Sequence, residues 1–279
     1  MFPHRTVRLG ALAAAVCALV LTGCGSEPAA DNPYSLIEPG KIHAATQTSQ
    51  PPFAYGDASG KPVGFIVDIT DEAAKRLGMT VDYKATSVTA SLAGLTSHQY
   101  DLAAAGFGVT EERQKSVAFT KPLFWSTTAV LTSATSTASK LTDFAGRKVG
   151  AVTGSTQEPF AAAKMPGAVP IGFPNANAAV SQLLNGTLDA FVGGGPDAEQ
   201  FLKQYPGLRQ AASAPVEHPT SMAVPKDHDA LLAALDQQIG AMVADGTYAR
   251  LYRKYFTTAP LPQLLAAWPE LTAQFAGGR

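Results

Sequence analysis

The feature of this sequence that most constrains its fold is the alternation of short apolar strands with helical segments, which begins twice along the chain. Strand–helix–strand alternation predicts mostly parallel sheets covered by helices on both faces. We therefore predict an α/β protein made of two α/β units in series. In the first unit, strands are predicted at 41–46, 81–86 and 101–105, and helices at 65–77 and 89–97. In the second, strands are predicted at 148–152, 169–173, 189–192, 208–212 and 220–225, and helices at 175–184, 196–205, 229–244 and 247–256.

The first 24 residues predict an export signal. Arg5 and Arg8 precede an apolar run at 9–21 that is too short to span a bilayer. The run ends in the sequence LTGC, which resembles the lipobox of bacterial lipoprotein precursors. The resemblance implies that residues 1–23 are removed and that Cys24 is lipidated. The alternative is a plain secretory signal followed by a chance cysteine.

The cysteine content and the charge balance bear on whether the protein has disulfides and whether it binds nucleic acid. Cys17 lies in the segment predicted to be removed and Cys24 is the predicted anchor, so the mature protein would have no disulfide. Small and polar residues follow, and 24–39 is predicted to be the lipidated cysteine with a flexible tether. The formal net charge of -1 offers no basic excess, which argues against a nucleic-acid partner.

A glycine-containing stretch after the third predicted strand is typical of an anion-binding site. Gly106 and Gly108 follow the strand, and Thr110 is a suitable N-cap for a helix. A glycine loop leading to a helix N-terminus presents backbone N–H groups to an anion. Arg113 adds a planar guanidinium that matches a carboxylate bidentately. The sequence thus indicates a seat for a small carboxylate; the alternative is a surface arginine paired with a nearby glutamate.

Short motifs run in order through residues 40–256. They are QPPF at 50–53, GFIVDI at 64–69, LG at 77–78, YDL at 100–102, GFGVTEER at 106–113, FTKPLF at 119–124, GST at 154–156, LDAFV at 188–192 and DGTY at 245–248. In this order they resemble the bacterial solute-binding proteins of family 3, which are the polar amino acid receptors of ABC importers.

The resemblance implies a type II periplasmic-binding-protein-like fold. Such a fold has two lobes, each a mixed sheet flanked by helices, joined by two hinge strands and closing on a solute. Lobe 1 would comprise residues 40–124 plus 222–256, and lobe 2 residues 128–218. Residues 257–279 are predicted to form a short amphipathic tail helix that packs on a lobe.

The same resemblance assigns roles to individual residues. Arg113 would pair with the carboxylate of the ligand, assisted by Gly106, Gly108 and Thr110. The loop of Gly154, Ser155 and Thr156 would cap the ligand from the other lobe. Phe107 either lines the cleft or packs in the core.

Four positions depart from the family pattern. Gln50 and Val88 stand where aromatic residues are usual, and Gly108 stands where a hydroxyl is usual. Gly194 stands where an acid usually receives the α-ammonium of the ligand. A buried ammonium needs a partner, so either Asp197, Glu158 or another acid replaces it, or the ligand lacks an α-ammonium. The three glycines at 193–195 either let the backbone approach a larger solute or form a flexible turn.

The sequence therefore predicts a monomeric binding protein that is lipid-anchored at the extracytoplasmic face of the membrane. It would deliver a small carboxylate-bearing solute, an amino acid or a relative, to an ABC transporter permease. We expect no cofactor, no metal site and no enzymatic activity. His43, His98, His218 and His228 are predicted to be surface or packing residues. One alternative is a cyclohexadienyl-dehydratase-like enzyme using Glu158, Asp197 or Glu217 as its acid; the other is a ligand sensor for a membrane signalling protein.

Overall fold

The computed structural model describes residues 32–276, so the predicted signal peptide and Cys24 lie outside the described part of the chain. Within it the chain forms strands that belong to three sheets. They are β1 (Lys41–Thr46), β2 (Ser49–Gln50), β3 (Ala54–Gly56), β4 (Pro62–Val63), β5 (Thr80–Ala85), β6 (Leu102–Gly108), β7 (Val117–Phe119), β8 (Thr127–Ser133), β9 (Lys148–Val152), β10 (Val169–Phe173), β11 (Ala190–Gly194), β12 (Leu208–Pro215) and β13 (Thr220–Pro225).

Helices connect these strands and cover the sheets. They are α1 (Phe65–Arg76), α2 (Val88–Thr96), α3 (Glu111–Gln114), α4 (Gln157–Lys164), α5 (Ala176–Leu184), α6 (Gly195–Gln204), α7 (Asp229–Ala244), α8 (Thr247–Tyr255), α9 (Pro262–Ala267) and α10 (Glu270–Ala276), with a short 3-10 helix at Leu141–Phe144. Between residues 32 and 276, no helix combines the length and the apolar character that crossing a bilayer requires.

Polar side chains fix where several helices begin. The Ser87 hydroxyl accepts from the Ala90 amide at 3.2 Å, and the Asn175 side-chain oxygen accepts from the Ala178 amide at 2.9 Å. Each bond satisfies an amide that has no partner inside its helix. The beginnings of α2 and α5 are therefore set locally by the sequence.

Each of the two large sheets is mixed. The first has the strand order β5-β1-β6-β13-β7, in which β1 is parallel to β5 and β6 while β13 is antiparallel to β6 and β7. The second has the order β10-β9-β11-β8-β12, in which β8 is antiparallel to both of its neighbours. The strands β2, β3 and β4 form a small antiparallel sheet. Two lobes with mixed sheets are the predicted fold class.

The chain passes between the large sheets twice, from β7 to β8 and from β12 to β13. Phe124 and Thr220 form an antiparallel bridge between the two crossings, and the Thr220 amide donates to the Phe124 carbonyl at 2.8 Å. The Trp125 indole N–H donates to the Val216 carbonyl at 3.1 Å. The two crossings thus lie side by side, and the lobes face each other across the space next to them.

Each lobe has its own apolar core. In the first, Phe65 on α1 is fully buried and its ring meets those of Tyr248 and Phe256 at centroid distances of 5.7 and 5.2 Å. In the second, buried Phe191 on β11 meets Phe201 on α6 at 6.1 Å. Burial of such side chains contributes roughly 1.5–3 kcal/mol each, so each lobe has a core that stabilises its own sheet.

The glycine-rich segments are strands rather than loops, which corrects the prediction from the sequence. The strand β6 continues to Gly108 because Gly108 pairs with Thr220 of β13. The strand β11 continues to Gly194 because Gly194 pairs with Thr128 of β8. Both glycine segments are consequently held by neighbouring strands, and the interpretation of residues 193–195 as a flexible turn is wrong.

The C-terminal tail forms two short helices instead of the one that was predicted. The helix α9 ends at Ala267 and α10 begins at Glu270, with Trp268 and Pro269 between them. Proline lacks an amide hydrogen and cannot continue the preceding helix. The tail packs on the first lobe, where the Trp268 indole N–H donates to the Pro122 carbonyl at 2.7 Å.

Candidate functional site

A cavity lies between the lobes, and both contribute to its lining. It contains most of the residues that the sequence marks as candidate ligands. Those that line it are Gln50, Gly106, Phe107, Gly108, Arg113, Ser155, Thr156, Gly194 and Asp197. Thr110 and Gly154 are not among the lining residues: the Thr110 hydroxyl caps α3, and Gly154 lies beside the cavity. Phe107 is 2% exposed and also belongs to the core of the first lobe, so both of its predicted roles apply.

Arg113 connects the two lobes at the edge of the cavity. Its amide donates to the Thr110 hydroxyl at 3.3 Å, which sets the first turn of α3. One guanidinium nitrogen, Nη1, donates to the Gly108 carbonyl of the first lobe at 2.7 Å, and Nη2 donates to the Gly154 carbonyl of the second lobe at 2.8 Å. Burial lowers the pKa of Arg113 to about 10. A carboxylate beside this cation would reverse that effect by stabilising the charged form.

The backbone around Gly106 does not offer the exposed amides that the sequence suggested. The Gly106 amide donates to Gln50 Oε1 at 3.0 Å, and Gln50 Nε2 donates to the Gly106 carbonyl at 3.1 Å. Gln50 therefore supports the strand rather than stacking on a ligand. The helix α3 has four residues. The positive charge at this end of the cavity consequently comes from the Arg113 side chain rather than from a glycine loop and a helix terminus.

Asp197 supplies a carboxyl group from the opposite lobe. It lies in the first turn of α6 and is 8% exposed. Its Oδ2 is 3.2 Å from the position that a Cβ atom at Gly194 would occupy, so the carboxyl fills the space beside that glycine. Burial raises the pKa of Asp197 to about 8. An acid is thus present in the cavity three residues after Gly194, in the first turn of α6.

The other acids considered from the sequence lie outside the cavity. Glu158 Oε2 accepts from the Gly154 amide at 2.9 Å and so supports the loop that carries Ser155. Glu217 is exposed. Within the part of the chain that the structure describes, Asp197 is the only acid among the residues lining the cavity.

His218 is a cavity residue that sequence reasoning missed. It lies over Gly108, where an added Cβ would come within 2.6 Å of His218 Cε1. Burial, with a contribution from the Arg113 charge, lowers the pKa of His218, which favours the neutral ring. No motif in the sequence marks this position, and the fold alone brings His218 to the cavity.

Unpartnered polar atoms converge on this cavity. Ser155 Oγ, Asp197 Oδ1 and His218 Nδ1 are buried without a hydrogen-bond partner among the described residues, and all three residues line it. Proteins pair nearly all of their buried polar atoms, so such exceptions need an explanation. A polar ligand held between the lobes would supply the missing partners.

The lobes also touch at Gly154. Its φ of +76° lies in the left-handed region, and a Cβ atom there would come within 2.5 Å of Thr89 Oγ1 on α2 of the first lobe. Glycine is therefore required for two reasons: the backbone conformation and the approach of the other lobe. Together with the bond from Arg113, this contact brings the second lobe against the first beside the cavity.

A possible metal-binding group lies elsewhere on the first lobe. Donor atoms of His98, Asp227 and His228 are within 4.8 Å of one another. None of the three residues lines the cavity between the lobes. Their positions along the chain do not group them, because His98 follows α2 while the other two precede α7.

Two α/β lobes joined by two adjacent crossings, with a charged cavity between them, define a periplasmic-binding-protein-like class of protein. The pattern of the bacterial extracellular solute-binding proteins, family 3, matches residues 42–258. The chain belongs to this family, as the order of its motifs predicted.

Relatives and solved structures agree with the family assignment. The chain is 30% identical over 229 residues to the lysine/arginine/ornithine-binding periplasmic protein of Escherichia coli, covering 78% of this chain and 88% of that protein. It is 29% identical over 231 residues to the histidine-binding periplasmic protein of Salmonella typhimurium, covering 78% and 88%. An ancestral arginine-binding protein bound to arginine has a similar structure, with a TM-score of 0.74, 33% identity and coverage of 78% and 98%. These relatives are binding proteins, which confirms the prediction that the chain is not an enzyme.

Proposed function

We propose that this protein captures an α-amino acid between its lobes and delivers it to an ABC transporter permease. In this proposal the protein is a monomer, and the lipidated Cys24 holds it at the extracytoplasmic face of the membrane. The relatives named above bind amino acids, and the cavity of this chain has a cation and an acid that could pair with the two charges of an α-amino acid.

The observation that carries the proposal is the placement of a cation and an acid on opposite lobes. Arg113 belongs to the first lobe and Asp197 to the second, and both line one cavity. An α-amino acid has a carboxylate and an ammonium on one carbon, so it can pair with both groups at once. Charge-assisted hydrogen bonds of this kind are about twice as strong as neutral ones. The ligand carboxylate would give Arg113 an anionic partner, and the ligand ammonium would favour the ionised form of Asp197.

Lobe closure follows from the same arrangement. A ligand that contacts Arg113 from one side and Asp197 from the other favours the state in which the lobes are together. The two short crossings are the segments that would bend. A permease that recognises the closed shape would then receive only loaded protein. A sensor protein would use the same closure, and uptake of labelled amino acid by cells with and without the gene distinguishes the two roles.

Isothermal titration calorimetry of the purified full chain against the α-amino acids tests the proposal. We expect at least one to bind, and both Arg113→Ala and Asp197→Asn to weaken that binding by about 100-fold or more, since each leaves a buried charge of the ligand unpaired. Arg250→Ala is the matched control, because Arg250 is exposed and outside the cavity. Unchanged affinity in the Arg113 and Asp197 variants would refute the site.

A further inference from the structure

The charge inventory of the cavity restricts the side chain of the amino acid, an inference that rests on the proposed function. Among the described residues that line the cavity, Arg113 is the one lysine or arginine and Asp197 the one acid. Burial and the Arg113 charge lower the pKa of His218, which favours its neutral form. The α-carboxylate and the α-ammonium of a ligand use both charges. No further charged partner remains for the ligand side chain.

The cavity therefore disfavours a ligand whose side chain carries a positive or a negative charge. A second cation, as in arginine or lysine, would be buried near Arg113 without a carboxylate of its own. A second carboxylate, as in glutamate, would have to share Arg113 with the α-carboxylate. Burying an unpaired charge is strongly unfavourable compared with leaving it in water.

The rest of the polar lining is uncharged but capable of hydrogen bonding. It includes the amides of Gln47 and Gln157 and the hydroxyls of Ser49, Ser126 and Thr127. An amide offers two donors and a carbonyl acceptor, which complements another amide or a hydroxyl. We propose that the protein selects α-amino acids with uncharged, hydrogen-bonding side chains, of which glutamine and asparagine are the best matched. This selectivity would distinguish the protein from the relatives whose names specify arginine, lysine and histidine.

A competition series on the full chain at pH 8 tests this selectivity. We expect L-glutamine or L-asparagine to bind about 100-fold or more tightly than L-arginine, L-lysine or L-glutamate. Equal or tighter binding of a charged amino acid would overturn the inference while leaving the proposed function intact. Failure of every α-amino acid to bind would instead refute the proposed function.

A designed gain of binding gives a second readout. Gln47→Glu places a carboxylate in the cavity, and we expect it to improve L-arginine or L-lysine binding at least tenfold while weakening L-glutamine binding. Gln237→Glu makes the same charge change on an exposed position of α7 and is the matched control. If Gln47→Glu does not bind L-arginine or L-lysine more tightly than the wild type, Gln47 does not contact the ligand side chain as proposed.

The group formed by His98, Asp227 and His228 independently carries a second inference. Two imidazoles and a carboxylate are common zinc ligands, with bonds of about 2.0–2.2 Å that put neighbouring tetrahedral donors about 3.4 Å apart. His98 Nε2 is 3.6 Å from Asp227 Oδ2, too long for a hydrogen bond but close to that spacing. His228 is 7% exposed, and its Nδ1 is buried without a partner among the described residues. We propose that this group binds a divalent transition metal such as Zn²⁺.

Zinc titration of the full chain tests the second inference. We expect Zn²⁺ alone to raise the unfolding temperature and to bind by calorimetry, and His98→Ala and Asp227→Asn each to weaken binding at least tenfold. Both side chains are exposed, so these variants should fold. His43→Ala is the matched control, because His43 also lies between two acids, Glu38 and Asp82. Equal zinc affinity in the wild type and the His98 and Asp227 variants would overturn the site.

Discussion

Replacing Asp197 with asparagine should stabilise the ligand-free protein while it removes ligand binding. Burial raises the pKa of this carboxyl from 3.8 to about 8. Between those two pH values the folded chain holds a proton that the unfolded chain has released, so stability falls as pH rises through this window. At pH 7 the linkage relation gives a destabilisation of about 4 kcal/mol from this group, and at pH 5 about 2 kcal/mol.

The Asp197→Asn variant removes the titration but keeps a polar group in the same place. A buried amide without a partner still costs about 1–3 kcal/mol. We therefore expect a net stabilisation of about 1–3 kcal/mol at pH 7, equivalent to roughly 2–12 °C in the unfolding temperature of a protein of this size. The advantage should shrink as the pH is lowered towards 5.

Thermal unfolding of ligand-free wild type and Asp197→Asn across pH 5 to 8 measures this effect. Glu199→Gln is the control, because Glu199 is an exposed residue of the same helix that pairs with Lys203 at 2.8 Å. Exposed ion pairs contribute about 0–1 kcal/mol, so little change is expected there. An Asp197→Asn variant that is less stable than the wild type at pH 7, or equally stable at every pH, would refute the reasoning.

Three further predictions concern binding, closure and anchoring. Amino acid affinity should fall about 50-fold from pH 8 to pH 6, because a proton on Asp197 competes with the ligand ammonium; calorimetry at both pH values checks this, and equal affinity would count against the pairing. Gly154→Ala should weaken binding about tenfold or more, because its Cβ would strike Thr89 of the other lobe, whereas Gly146→Ala, with a similar φ and open space around it, should not; equal effects would exclude contact between the lobes as the cause. Cys24→Ala should release the protein from membranes in a fractionation experiment, and an unchanged membrane fraction would contradict the lipid anchor.

The sequence predicts those parts of the fold that depend on local patterns. Strand β1, helix α7 and the cap formed by Thr110 are found where the apolar periodicity and the capping residues indicate. The glycine segments could not be assigned in the same way. The strand β6 reaches Gly108 only because β13, more than one hundred residues later, returns to pair with it.

The residues of the cavity could be predicted only in part, because their arrangement also depends on contacts between distant parts of the chain. Arg113 and Asp197 were both candidates, but the sequence could not rank Asp197 above Glu158. The structure separates them, because Glu158 supports the Gly154 loop while Asp197 lines the cavity. His218 lies in a connection without a motif, and only the three-dimensional arrangement shows that it covers Gly108.

A thermal-shift screen of the full chain against the twenty α-amino acids tests the central claim most directly. It should be run in parallel on the wild type, Arg113→Ala and Asp197→Asn. A ligand at one hundred times its dissociation constant adds about 2.7 kcal/mol of stability, or roughly 5–10 °C for a protein of this size. We predict such a shift for at least one amino acid with an uncharged polar side chain in the wild type, and none in either variant. The absence of any shift in the wild type, or the same shift in both variants, would contradict the claim that Arg113 and Asp197 hold an amino acid between the lobes.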